Sequence, residues 1–157
     1  MTSRPLILTL LLAGSAAGAQ QVAFRDDRSS PAAVVESLYN AVNRHEYLRA
    51  YSYFARDRIG DYAAFKAGYA DTDHVDLRLG TPVTEGAAGT TYTMLPVVIR
   101  ATDTEGTEAV FTGCYQLSQV SPSIQDQPPY VPIRIIEGTL AATDTAFADA
   151  TGRCATD

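Results

Sequence analysis

The sequence predicts an α+β domain in which three N-terminal helices pack on a curved antiparallel meander of four strands. Three observations carry that prediction. As far as Asp71 the apolar side chains recur at the three- and four-residue spacing of one-sided helices. After Asp73 they alternate singly with polar ones, as in strands with one buried face. Between the alternating runs stand turn-forming clusters: Gly86 with Gly89, Thr104-Glu105-Gly106, and a stretch holding Pro122, Pro128 and Pro129.

The chain opens with Arg4, an apolar run from Leu6 to Ala13, and small residues ending in Ala17-Gly18-Ala19. That is the order of a secretory signal peptide over residues 1–19, cleaved after Ala19, and it predicts an exported protein, periplasmic or secreted. The run falls well under the roughly 20 apolar residues of a membrane span, and no later segment comes closer. A lipoprotein signal would put a cysteine where Ser15 stands, so no membrane anchor is expected. Residues 20–29, which include Arg25-Asp26-Asp27-Arg28, read as a flexible lead-in anchored by Phe24.

Ser30 followed by Pro31 marks a helix start, because serine caps free N–H groups and proline tolerates the first helical position. This first helix runs to about Arg44, with Val34, Val35, Leu38 and Val42 on one side. A second, from Glu46 to about Ala55, turns Tyr47, Leu48, Tyr51 and Phe54 inward and Glu46, Arg49 and Arg56 outward. Asp61 caps a third, whose inner face carries Tyr62, Phe65 and Tyr69 and which ends near Gly68.

The first strand sets Val75, Leu77 and Leu79 against His74, Asp76 and Arg78. A longer one covers Thr90 to about Thr102 and another Thr107 to about Val120, joined by a three-residue turn with Gly106 in the left-handed position. That turn makes Thr93 face Leu117 and Ile99 face Phe111. The inner face then holds Leu95, Val97, Ile99, Phe111, Tyr115 and Leu117, and the outer face Met94, Val98, Val110 and Cys114. A last strand from Val131 to about Thr139 completes a domain over residues 30–140.

Cys114 and Cys154 are the two cysteines of the chain, and an even count behind a secretory signal predicts a disulfide. Closing that loop would stabilise the fold by roughly 4 kcal/mol in the chain-entropy model. A shared metal site is the competing reading, yet only His45 and His74 would complete it, and neither stands at zinc-motif spacing. With Cys114 on the outer face, the C-terminal tail, residues 141–157, must cross behind the sheet. There Phe147 would cover part of the Met94, Val98 and Val110 patch; a second copy could do the same, giving a homodimer through the outer sheet face.

Composition removes several function classes. The formal net charge is −6, loss of Arg4 with the leader makes the remainder more acidic, and no Lys/Arg cluster offers a local exception, so nucleic acid is not an expected partner. His45-Glu46 has Arg49 where a zinc protease needs its second histidine. Asp71, Asp73 and Asp76 resemble a calcium loop, but Asp76 and Pro82 occupy the glycine and glutamate positions. No Gly-x-Ser-x-Gly elbow, phosphate loop or dinucleotide fingerprint occurs; no metal or cofactor is expected.

Three helices followed by a strongly curved meander resemble the nuclear transport factor 2-like, or ketosteroid isomerase-like, superfamily. The segments that carry the resemblance are Pro31 to Asn43, the aromatic second helix Tyr47 to Phe54, and the strands Tyr92 to Arg100 and Phe111 to Leu117. The resemblance implies a cone-shaped α+β roll. It also implies a choice of roles, because that superfamily includes isomerases, dehydratases, cyclases, epoxide hydrolases and non-catalytic binding or assembly domains. In its enzymes an Asp or His projects into the mouth of the cone.

Acid–base chemistry needs a titratable group held in a partly desolvated pocket. The inner faces of the central strands offer Thr93 and Tyr115 as their polar groups. His74 and Asp76, with Arg78, are the catalytic candidates, but burying the leucines between them sends all three to water unless a bulge reverses the phase. Six of the nine tyrosines lie between Tyr39 and Tyr69, where they suit helix-to-sheet packing or the wall of a ligand cavity. The expected walls of such a cavity are Tyr51, Tyr62, Phe65, Tyr69, Phe111 and Tyr115, with Arg134 as the cation that would orient an acidic ligand.

The function expected from these residues is non-catalytic binding of an apolar small molecule or a protein partner. One alternative is a cofactor-independent isomerase, dehydratase or cyclase using His74 or Asp76 with a pocket tyrosine. The other is a dimeric assembly or stress protein joined through the outer sheet face.

Overall fold

A computed structural model of the protein describes residues 22–155 and follows the predicted order, helices first and antiparallel sheet second. The predicted signal peptide lies outside the described residues. The elements are α1 (Pro31–Asn43), α2 (Tyr47–Tyr51), α3 (Tyr62–Ala67), β1 (Thr72–Leu79), β2 (Val83–Ala87), β3 (Thr90–Asp103), β4 (Glu108–Val120) and β5 (Arg134–Thr143). The sheet runs β1-β3-β4-β5, and β2 pairs with β3 beyond the end of β1.

α1 starts where the serine–proline pair puts it: the Ser30 hydroxyl accepts the Ala33 N–H. Its apolar stripe, Val34, Val35, Leu38 and Val42, is buried. At its end His45 adopts φ +56°, its N–H donating to the Val42 carbonyl while the Glu46 N–H donates to that of Ala41. This is a Schellman closure with histidine where glycine is usual. Residues 22–29 lie along α1, with Ala23 and Arg25 bonded to the Asn40 side chain and Asp27 to the Ser37 hydroxyl. Phe24 is largely exposed, with the Arg49 guanidinium 4.6 Å from its ring centre.

α2 differs from expectation. It has five residues, Leu48 is 65% exposed, and the buried side chains are Ala50 and, just past its end, Tyr53. A single turn is too short for a stripe repeating every 3.6 residues to fix its facing. Instead Arg49 is drawn inward, donating to Glu46, to the side-chain oxygen of Asn40 and to the Tyr53 hydroxyl. The chain then runs beside β5: the Ile135 N–H donates to the Tyr53 carbonyl at 2.9 Å and the Ala55 N–H to that of Ile135 at 2.8 Å. This short parallel bridge between Phe54 and Ile135 covers part of the β5 edge.

β3 and β4 pair in the predicted register, Thr93 opposite Leu117 and Ile99 opposite Phe111. Two strands differ from the sequence reading. β2 makes a fifth strand, and its residues are all exposed, so it carries none of the half-buried alternation that marks a strand in sequence. β5 runs from Arg134 to Thr143 rather than from Val131 to Thr139. The Gln125 side chain takes up both the N–H and the carbonyl of Val131, and Pro132 has no N–H to give.

The phase of β1 is the predicted one. Val75 is buried, and Leu77 and Leu79 pack against a core built on Leu38, Tyr53, Leu95, Leu117 and Ile135. Cys114 and Cys154 form a disulfide that ties the tail across the outer face. The Arg78 guanidinium donates to the carbonyls of Phe147 and Ala148, and the Phe147 ring lies 5.2 Å from the Arg100 guanidinium. At Gly152 the tail runs so close to the sheet that a β-carbon would stand 2.4 Å from the Val97 nitrogen.

Candidate functional site

The residues nominated for catalysis and those nominated for ligand binding fall on opposite sides of the sheet. On β1, Asp76 pairs across the strand with Arg100, whose guanidinium donates twice to one carboxylate oxygen, at 3.0 and 2.7 Å. His74 Nε2 lies 3.4 Å from the other oxygen. The Arg100 hydrogen bond holds the Asp76 carboxyl below its ordinary value, the reverse of what a general base working near neutrality needs. Arg78, the third of the trio, is engaged by the tail.

On the helix side, aromatic rings form a continuous run. Tyr62 meets Tyr51 edge-on, Tyr51 and Phe54 both meet Phe65, and Phe54 meets Tyr115, with ring centres 5.4 to 6.5 Å apart. Tyr69 joins through Phe65 and stacks on Tyr47. Such tilted contacts suit the quadrupoles of the rings and fix their orientation. Phe111 is half-buried on β4 and packs against the same core. The predicted aromatic walls are therefore mostly one another's neighbours.

The polar groups of the inner face satisfy each other. Tyr115 and Tyr39 share a hydrogen bond of 2.6 Å between their hydroxyls, and Thr93 shares one of 3.1 Å with Thr84. Among the described residues no buried side-chain nitrogen or oxygen lacks a partner. Burial pushes the Tyr115 phenol well above its ordinary value, does the same to Tyr39, and raises Tyr69 to about 12. Gly138 makes room for this arrangement, since a β-carbon there would stand 2.6 Å from the Tyr115 ring.

The run of rings opens on a cleft of about 450 Å³, walled by Leu48, Tyr51, Phe54, Arg28, Arg56 and Arg134. Of the predicted ligand residues, Tyr51 and Arg134 line it; Tyr62 and Phe65 stand behind Tyr51, and Tyr69 and Tyr115 lie deeper. Leu48, Phe54, Arg28 and Arg56 were not legible as site residues. Phe54 and Arg134 meet through the Phe54–Ile135 bridge, a contact between chain segments 81 positions apart that no local pattern encodes.

No family model matches the chain, and no curated protein matches it. Among solved structures, the fold is similar to that of a protein from Novosphingobium aromaticivorans described as a "Putative Scytalone Dehydratase". The TM-score is 0.52 at 11% identity, over 73% of this chain and 82% of that one. At that identity the likeness is one of fold alone: three helices followed by a five-stranded antiparallel sheet, an α+β arrangement consistent with the predicted cone-shaped roll.

Proposed function

We propose that this domain binds a small apolar molecule and performs no acid–base chemistry on it. The observation that carries the reading is the separation across the sheet: aromatic rings with an adjoining cleft on the helix side, the carboxylate and imidazole on the tail side. The interior phenols are hydrogen-bonded to each other and raised in pKa, so at neutral pH they serve as packing and as donors, not as bases. We further propose that the protein is exported. The Cys114–Cys154 disulfide favours an oxidising compartment, and among the described residues no helix is long and apolar enough to cross a membrane.

Native mass spectrometry of protein purified without denaturation tests the binding reading, with a retained small molecule as the expected result. A ligand released in chemically altered form by the wild type, but unaltered by Asp76→Asn, would overturn it. That outcome would favour a dehydratase or isomerase, a reading supported by the fold likeness to the protein named for scytalone dehydratase.

A further inference from the structure

We infer that the cleft beside α2 binds an aromatic carboxylate, its ring against Tyr51 and Phe54 and its anion held by Arg56 and Arg134; the inference rests on the binding reading above and names the ligand class.

The three arginines of the cleft are not equivalent. Arg28 is occupied: it donates to the backbone and hydroxyl oxygens of Ser52, pairs with Asp26, and lies 4.3 Å from the Tyr53 ring centre. Arg56 and Arg134 make no hydrogen bond to a side chain and no ion pair among the described residues. Arg58, two positions beyond Arg56, pairs with the neighbouring Asp57, so the nearest acid in sequence is directed elsewhere. In a chain of net charge −6, two uncommitted guanidiniums on one small cleft are a local reversal of sign.

Backbone structure fixes their positions. Arg134 directly precedes Ile135 and Arg56 directly follows Ala55, and those are the residues of the parallel bridge. Both cations thus spring from one hydrogen-bonded frame. The apolar wall is equally constrained: the Tyr51 hydroxyl donates to the Gly60 carbonyl at 2.9 Å, and its ring is braced by Tyr62 and Phe65. Leu48 adds an exposed apolar rim.

Rings beside a pair of planar forked donors match a flat apolar acid. Guanidinium binds carboxylate through two parallel N–H···O bonds, and an aromatic ring adds edge and face contacts with Tyr51 and Phe54. A volume of about 450 Å³ accommodates a bicyclic acid and falls within the ordinary range for small-molecule sites.

Calorimetric titration of the oxidised protein with 2-naphthoate, its neutral isostere 2-naphthamide, and decanoate tests this. The expected result is about tenfold tighter binding of naphthoate than of naphthamide, the size of a lost charge-assisted hydrogen bond. In the double variant Arg56→Gln/Arg134→Gln that preference falls to within about twofold, and an unchanged urea midpoint reports an intact fold. Equal binding of acid and amide by the wild type overturns the anion assignment and leaves the apolar-binding reading standing. A preference that survives in the double variant overturns the assignment to Arg56 and Arg134, and decanoate binding more tightly than naphthoate overturns the aromatic class. Binding of none of the three overturns both this inference and the cleft as the binding site.

Discussion

The hydroxyls of Tyr39 and Tyr115 meet at 2.6 Å, joining the buried face of α1 to the buried face of β4. Each phenol is the other's partner in a place that water does not reach. Removing one leaves the second unsatisfied, which costs more than removing both.

Tyr39→Phe and Tyr115→Phe should therefore each lower unfolding free energy by about 1–2 kcal/mol, and the double variant should lose clearly less than their sum. Urea denaturation of the four proteins gives the cycle. Strict additivity would show that the pair is not coupled.

His45 holds the left-handed position that closes α1, with φ +56°. An L-residue there costs about 1–2 kcal/mol, and a glycine returns part of that gain through its freer unfolded chain. His45→Gly should raise stability by about 0.5 kcal/mol, seen as a higher urea midpoint with the slope unchanged.

The buried tyrosines make stability fall in alkali. Burial raises Tyr69 to about 12, and it raises Tyr39 and Tyr115 well above the ordinary phenol value as well. A group whose pKa is higher folded than unfolded stabilises fully below its unfolded value, about 10 for tyrosine, and that contribution is lost as pH climbs through the folded value. The urea midpoint should hold level from pH 8 to about 10 and then drop. In Tyr69→Phe the drop should be shallower; an identical curve would remove Tyr69 from the account.

Replacing both Cys114 and Cys154 by serine should cost roughly 4 kcal/mol, because the bridge closes a loop of 40 residues. Comparing reduced wild type with the double serine variant in thermal melts checks this: the two should agree. A double variant as stable as the oxidised protein would show that the tail is held by Arg78, Phe147 and Gly152 without the bridge.

What the sequence made legible follows from what is local. Ser30-Pro31, the alternation at Val75 to Leu79 and the turn at Gly106 each act within a few residues, and the helix start, the phase of β1 and the β3–β4 register follow from them. The disulfide was readable because the chain has two cysteines. β2 was hidden because its exposed residues carry no alternation, and the facing of α2 because Arg49 is satisfied by Glu46, Asn40 and Tyr53 rather than by water. The cleft was half visible: Tyr51 and Arg134 could be nominated by type, but what joins them is the Phe54–Ile135 bridge.

The tail's attachment sets a constraint on how this molecule matures. Two thiols allow one internal pairing, so oxidation yields no scrambled isomers within a single chain. The covalent error that remains is a cross-link between molecules, which grows with concentration and is suppressed once Gly152 seats on the Val97 backbone and brings Cys154 to Cys114. Dilution during refolding should favour the correct monomeric bond without any isomerase.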